Sequence, residues 1–116
     1  MLQGPLWKKQ SFKGKLAAGF TVSSLPAGDK QSTLISLFTF CMQHGMIWVG
    51  NPILPEQHQC VPYAQAANRL GSWSGLMAQA EHASAADAFD LGDIKTAQLF
   101  GENFASSLNA YQGVVM

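Results

Sequence analysis

The sequence predicts an α/β fold in which parallel strands form a sheet with flanking helices. Two short apolar runs, at residues 15–22 and 46–49, lie on either side of a stretch with apolar residues at intervals of three and four. Continuous apolar runs bounded by turn residues are typical of strands buried on both faces of a parallel sheet. A strand, a crossover helix and a second strand make a βαβ unit, whose crossover is right-handed in nearly all proteins.

The helix between the two strands is the clearest element. Asp29 or Ser32 can cap its start, and Gly45 is the expected left-handed residue that ends it. The residues that recur at helical spacing are Leu34, Leu37, Phe38, Cys41 and Met42. Ile35 and Phe40 widen this apolar face, so we expect the helix to be packed on more than one side.

The periodicity fades between residues 51 and 93, which we predict as a long loop or insertion. Its alanine-rich part, residues 76–88, favours a helix. Loops of this length inside a domain are usually either functional or disordered. A final helix is predicted over residues 94–112, with Asp93 as its cap and apolar residues again at steps of three and four.

Composition excludes several classes of protein. Of 116 residues, 47% are apolar and 12% charged, and seven Lys and Arg balance seven Asp and Glu. High apolar content without net charge argues against general disorder, against a globally basic nucleic-acid binder and against an acidic tail protein. A neutral surface with few charges favours self-association.

The same sequence favours a soluble cytoplasmic location. No apolar run approaches the ~20 residues that a membrane helix needs, and the first 15 residues contain no apolar run of signal-peptide length. Neither of the two cysteines has an electropositive neighbourhood that would activate it. A single closely spaced His–Cys pair falls short of a structural zinc pattern, and Gly-x-Ser-x-Gly is absent. We therefore expect no metal and identify no catalytic side chain.

Several motifs together resemble the carboxyl-terminal half of the WrbA-type NAD(P)H:quinone oxidoreductases, a branch of the flavodoxin-like FMN proteins. They are Gly4-Pro5-Leu6-Trp7 followed by Lys15-Leu16-Ala17, the loop that ends at Gly28, Gln43-His44-Gly45-Met46, Pro62-Tyr63-Ala64, and Ala97 with Gly101-Glu102 and Ala105. The resemblance covers most of the chain and is weak at residues 68–88. In the family, further strands and the loop that holds the FMN phosphate precede the position of Met1. The resemblance thus implies one incomplete flavodoxin-like domain over residues 1–116, with a βαβ unit at 15–50, a long loop at 51–93 and a helix at 94–112.

The resemblance also implies a cofactor and a set of site residues. The loop after the first predicted strand would lie along the flavin of FMN, and its residues are Val22, Ser23, Ser24, Leu25, Pro26, Ala27 and Gly28. His44 matches a family histidine that touches the flavin, although a histidine at a helix carboxyl terminus is also favoured by the helix dipole. Trp7 would reach a neighbouring subunit's pocket or be half-buried against its own strand. Tyr63 would border the substrate mouth or be packed in a turn.

Two functions follow from the resemblance as expectations. The first is an FMN-dependent oxidoreductase, present as a truncated member, in which NAD(P)H reduces the flavin and a quinone is the acceptor. FMN binding by this chain alone is the open part of that expectation, since the phosphate loop lies before Met1. The second is a non-catalytic flavodoxin-like remnant or subunit whose sheet edge is completed by another chain. Because exposed strand edges are usually covered, we expect a homo-oligomer in either case.

Overall fold

The computed structural model describes residues 4–81 and 84–114, so residues 1–3, 82, 83, 115 and 116 of the predicted domain lie outside it. The helices are α1 (Gly4–Lys8), α2 (Lys30–Gln43) and α3 (Leu91–Val114). The strands are β1 (Leu16–Ala17), β2 (Phe20–Ser23), β3 (Ile47–Trp48) and β4 (Leu76–Gln79). Short 3-10 turns lie at Gln57–Gln59, Tyr63–Gln65 and Ala85–Asp87.

The predicted βαβ unit is confirmed. β1 and β3 are parallel neighbours with Leu16 opposite Ile47, and the backbone N–H of Ile47 donates to the Lys15 carbonyl over 2.9 Å. α2 connects them, as a crossover between parallel strands requires. The α/β class with parallel strands and flanking helices is confirmed with it.

The first predicted strand is divided in two at Gly19. Among the described residues, β1 pairs with β3 and β2 pairs with β4. A Cβ at Gly19 would lie 2.7 Å from the Trp48 ring, and a Cβ at Gly75 would lie 2.9 Å from the Leu34 side chain. Glycine at both positions therefore leaves room, beneath α2, for the chain to continue from β1, which pairs with β3, into β2, which pairs with β4.

The sequence pattern does not indicate β4, and the prediction of a helix over residues 76–88 is wrong. The residues of β4 favour helices intrinsically, but they pair in parallel with β2 from Phe20 and Leu76 to Ser23 and Gln79. The Ala80 N–H extends this ladder to the Ser23 carbonyl over 3.0 Å. Pairing with a distant strand overrides local propensity here, since strand preference depends mainly on context.

The two long helices cover opposite faces of the β2–β4 pair. Phe20, Val22, Leu76 and Ala78 line a cleft with α3, whereas Met77, which points the other way, lies near Lys30 at the start of α2. Phe20 is 67% exposed and Val22 45% exposed, so the predicted burial of this strand on both faces is wrong for the described residues. The cause is that α3 packs against β4 and leaves the β2 side of the face open.

The ends of α2 agree only in part with the prediction. Gly45 ends the helix with a φ of +68°, as predicted. At the start, Asp29 occupies the cap position in a left-handed conformation without a side-chain capping bond, and Ser32 lies inside the helix. Leu34 is fully buried, but Ile35 is 47% exposed, so the second packed side expected for this helix faces outward in the described structure.

α3 is longer than predicted, since it begins at Leu91 rather than at residue 94 and continues to Val114. Asp93 therefore lies within its first turn instead of preceding it. Thr96 and Phe100 of this helix are buried. In the part of the chain that the structure describes, no helix combines the length and the hydropathy needed to cross a membrane.

Candidate functional site

The candidate site lies at the carboxyl edge of the β2–β4 pair. β2 ends at Ser23 and β4 at Gln79, which are opposite each other in the ladder. In open α/β sheets, ligands bind outside the carboxyl ends of the strands. Residues 23–28, which we call the β2 loop, leave β2 at this edge and lead into α2, so the topology places the predicted flavin loop where such a site would be.

Lys30 is buried under the β2 loop and hydrogen-bonds to its backbone. Its side chain is 1% exposed, and its Nζ donates to the carbonyls of Leu25 and Pro26 over 2.8 Å each. The Ser23 hydroxyl also donates to the Leu25 carbonyl, over 3.0 Å. Burial lowers the pKa of Lys30, and the nearby Asp93 carboxylate opposes this effect. Nothing in the local sequence pattern indicates that Lys30 is buried, so its role is visible only in the folded structure.

The turn at the end of the loop requires its glycine. Gly28 has a φ of +53°, and a Cβ there would collide with the Ser23 side chain. Asp29 follows with a φ of +51°. Within the described structure, the backbone N–H groups of Ala27, Gly28 and Asp29 donate to no protein acceptor. The residues are exposed, so these donors are available to a ligand.

A buried ion pair lies beside the loop at the same edge. Arg69, the only arginine of the chain, donates from Nε and Nη2 to the two oxygens of Asp93 over 2.7 and 3.0 Å. The Asp90 carboxylate lies 3.2 Å from Nη1. The hydrogen bond to Asp93 raises the pKa of Arg69 further above its already high value. Bidentate pairing of this kind is the strong form of a salt bridge.

The ion pair is connected to both strands and to Tyr63. The backbone N–H of Gln79 donates to Asp93 Oδ2 over 2.9 Å, and the Gln79 side chain donates to the Ser24 carbonyl of the loop over 3.4 Å. The Arg69 guanidinium lies 4.9 Å from the centre of the Tyr63 ring. Tyr63 is 52% exposed, and its contact with Arg69 places it beside the ion pair at this edge.

His44 lies at the other end of α2, on the far side from the loop. The 14 residues of the helix span about 20 Å. The His44 ring is fully buried between Phe40 and Phe12, at centroid distances of 4.5 and 5.5 Å. Neither ring nitrogen has a hydrogen-bond partner in the described structure. Within one chain the structure therefore does not bring His44 to the β2 loop.

Trp7 lies near the same end as His44. It is half-buried, and its carbonyl accepts a hydrogen bond over 3.0 Å from Gln10 Nε2, which also donates to the Gln43 carbonyl over 3.1 Å. The predicted site residues thus form two groups, with the β2 loop and Tyr63 at one end of α2 and His44 and Trp7 at the other. No three His, Cys, Asp or Glu side chains of the described ranges are grouped so as to hold a metal ion.

Comparison with known proteins identifies relatives over most of the chain. Flavodoxin FldP of Pseudomonas aeruginosa is 33% identical over 99 residues, which are 85% of this chain and 53% of that protein. An NAD(P)H dehydrogenase (quinone) of Azorhizobium caulinodans is 30% identical over 84% of this chain and 53% of its own. Another, of Archaeoglobus fulgidus, is 37% identical over 58% and 35%. The chain spans at most about half the length of these curated relatives. No family model matches it.

Proposed function

Because the chain belongs to the flavodoxin-like family, we propose that it forms the flavin-edge part of an FMN-dependent NAD(P)H:quinone oxidoreductase. The observation that carries this proposal is the β2 loop, which lies at the carboxyl edge of parallel strands with three successive N–H groups, from Ala27 to Asp29, free to donate. The pyrimidine end of a flavin presents two carbonyl oxygens, which are acceptors, on either side of an N–H donor. The N–H groups of the loop can donate to those carbonyl oxygens.

The residues of this chain would bind and orient the cofactor, while the electron transfer would belong to the flavin. When bound, FMN accepts a hydride equivalent from NAD(P)H and passes two electrons to a quinone. The β2 loop would hold the polar end of the ring, and exposed Tyr63 would border the space in which the nicotinamide and the quinone alternate. The FMN phosphate would be held by the earlier strand–helix loop that the family resemblance implies, outside the described residues.

Trp7 enters this proposal through a second copy of the chain. It lies about one helix length from the β2 loop of its own chain, so a flavin contact by Trp7 would be made in a neighbouring protomer's site. The His44 ring is fully buried in its own chain, and the proposal assigns it no flavin contact. Two independent features support an assembly, namely the neutral, weakly charged composition and the open apolar face of β2.

A flavin titration tests the first part of the proposal. We expect the chain to quench FMN fluorescence, with riboflavin binding within about threefold of FMN because the described residues hold only the ring. Gly28→Ala should weaken binding at least tenfold, since its Cβ collides with Ser23. Gly113→Ala is the matched control, because a Cβ there meets nothing within 4 Å. Absence of quenching by the wild-type chain, or equal affinity of Gly28→Ala, would contradict the proposal.

A second candidate function is that of a non-catalytic subunit that acts through assembly with a second copy of itself. The specific observation in its favour is an apolar cleft of about 500 Å³ between β2, β4 and α3, in which Phe20, Val22 and Ile94 are substantially exposed. Apolar side chains that are exposed together in one cleft can pack against a second protein chain. β2 is also unpaired along its other edge in the described structure, which offers a template for another strand.

Sedimentation velocity tests self-assembly through this cleft. The wild-type chain should sediment as an oligomer, and Val22→Lys should shift it toward the monomer because a charge enters the cleft. Ile35→Lys is the control, since Ile35 is equally exposed, at 47%, but lies on α2 at the opposite face. A monomeric wild-type chain, or equal dissociation by both variants, would count against self-assembly through the cleft.

A further inference from the structure

Lys30 differs from the other lysines of the described residues in being almost fully buried, at 1% exposure. Burying an ammonium group costs free energy unless its N–H groups are hydrogen-bonded. Here the partners are backbone carbonyls rather than a carboxylate. The Nζ atom contacts the carbonyls of Leu25 and Pro26 at 2.8 Å each.

The same residue also binds the next carbonyl along the chain. The backbone N–H of Lys30 donates to the Ala27 carbonyl over 3.1 Å. Three successive carbonyls of the β2 loop, from Leu25 to Ala27, are therefore bonded to Lys30. The Leu25 carbonyl also accepts from the Ser23 hydroxyl, so its acceptor capacity is used within the protein.

This arrangement determines which backbone groups of the loop remain for a ligand. The carbonyls of Leu25, Pro26 and Ala27 are engaged internally, whereas the N–H groups of Ala27, Gly28 and Asp29 have no described acceptor. These N–H groups can therefore donate to acceptor atoms of a ligand.

We propose that Lys30 is a positioning residue that holds the β2 loop in the conformation in which the N–H groups of Ala27, Gly28 and Asp29 are available to acceptor atoms of a ligand, such as the carbonyl oxygens of the flavin pyrimidine ring. The inference rests on the proposed function for the identity of the ligand, but the internal role of Lys30 does not. The lowered pKa of this buried ammonium is consistent with its solvent-poor position beneath the loop.

The test uses Lys30→Met, which keeps the length and apolar stem of the side chain and removes its donors. We expect at least a tenfold weaker affinity for FMN. We also expect the amide chemical shifts of Leu25, Ala27, Gly28 and Asp29 to change and their heteronuclear NOE to fall, with unchanged values in β1 and β3, because the loop loses two of its internal bonds. Lys30→Arg, which retains donors, should restore most of the wild-type NOE. Lys13→Met, at an exposed lysine, is the matched control.

The two readouts separate this inference from the proposed function. If the wild-type chain does not bind FMN, the proposed function fails, and the chemical shifts and NOE of the loop amides still decide the role of Lys30. An unchanged NOE of the loop in Lys30→Met would overturn the inference. An equal fall of the NOE in β1 and β3 would overturn it too, because Lys30 would then contribute only to global stability. Lys30→Arg behaving like Lys30→Met despite normal folding would also contradict it.

Discussion

At the scale of single residues, the buried polar groups of this protein fall into two kinds. Lys30 and Arg69 are buried with their donors bonded, the first to carbonyls and the second to Asp93. His44 is equally buried but neither ring nitrogen has a described partner. A bonded polar group specifies its surroundings, whereas an unbonded one costs about 1–3 kcal/mol of desolvation. The stability of the fold therefore does not explain why a histidine occupies position 44.

We predict that His44→Leu stabilises the isolated chain. Leucine is similar in size to histidine and suits the pocket between Phe12 and Phe40. Removing two unbonded nitrogens should raise the free energy of unfolding by about 1 kcal/mol, measured by urea denaturation. Leu34→Ala in the same assay should lower it by about 2–5 kcal/mol, since Leu34 is fully buried. Destabilisation by His44→Leu would show instead that the histidine has a bonded partner in solution.

At the scale of elements, the Glu56 carboxylate is one of the groups that connect the long loop to α3. Glu56 Oε1 accepts from Lys95 Nζ over 2.6 Å and from the backbone N–H of Ala67 over 2.8 Å. The loop therefore has a defined path although it contains little regular structure. The sequence of this loop has weak periodicity because individual bonds of this kind stabilise the loop. Such bonds correspond to no repeating pattern in the sequence.

The Glu56 connection predicts a pH dependence. The hydrogen bond from Lys95, followed by that from Ala67, lowers the pKa of Glu56 below its ordinary value of 4.5. Its stabilising effect is thus fully present above pH 4.5 and is lost as the pH falls through the lower, folded-state pKa. Glu56→Gln should reduce the urea midpoint at pH 7, and its difference from wild type should shrink as the pH falls below 4.5. Exposed Glu102→Gln should show neither effect, and a Glu56→Gln difference independent of pH would contradict the prediction.

At the scale of the whole molecule, the chain has the layers of an α/β sandwich but an incomplete cover. α2 lies on one face and α3 on the other, while the β2 side of the α3 face remains open. The buried Arg69–Asp93 pair bridges residues 24 positions apart and joins the loop before β4 to the end of β4 and the start of α3. With few apolar residues fully buried, this polar junction is expected to contribute much of the cooperativity of unfolding.

We predict that Arg69→Met lowers the free energy of unfolding by about 3 kcal/mol, because it leaves the Asp93 carboxylate buried without its cation. The double variant Arg69→Met/Asp93→Asn should lose less than the single one, since the stranded charge is removed as well. Urea denaturation followed by tryptophan fluorescence measures both. Lys8→Met, on exposed α1, is the control and should be neutral. Additive losses in the double variant would exclude coupling between the two residues.

Local patterns in the sequence were sufficient to predict the βαβ unit, the stop at Gly45 and the loop between β2 and α2. Each depends on residues that are close in the chain, such as an apolar run, a helical repeat or a glycine with positive φ. The motifs that resemble the flavodoxin-like family were recognisable for the same reason, because each is short and their order is preserved.

Only the tertiary structure decided the rest. β4 consists of helix-favouring residues that become a strand because β2 lies beside them. Arg69 reaches Asp93 from 24 positions away, and Lys30 is buried because the loop folds over it. His44 and the β2 loop are separated by the length of α2, which no motif records. In each case the stabilising free energy comes from pairing or burial between segments that are distant in the chain. Such contacts produce no periodic pattern in the sequence.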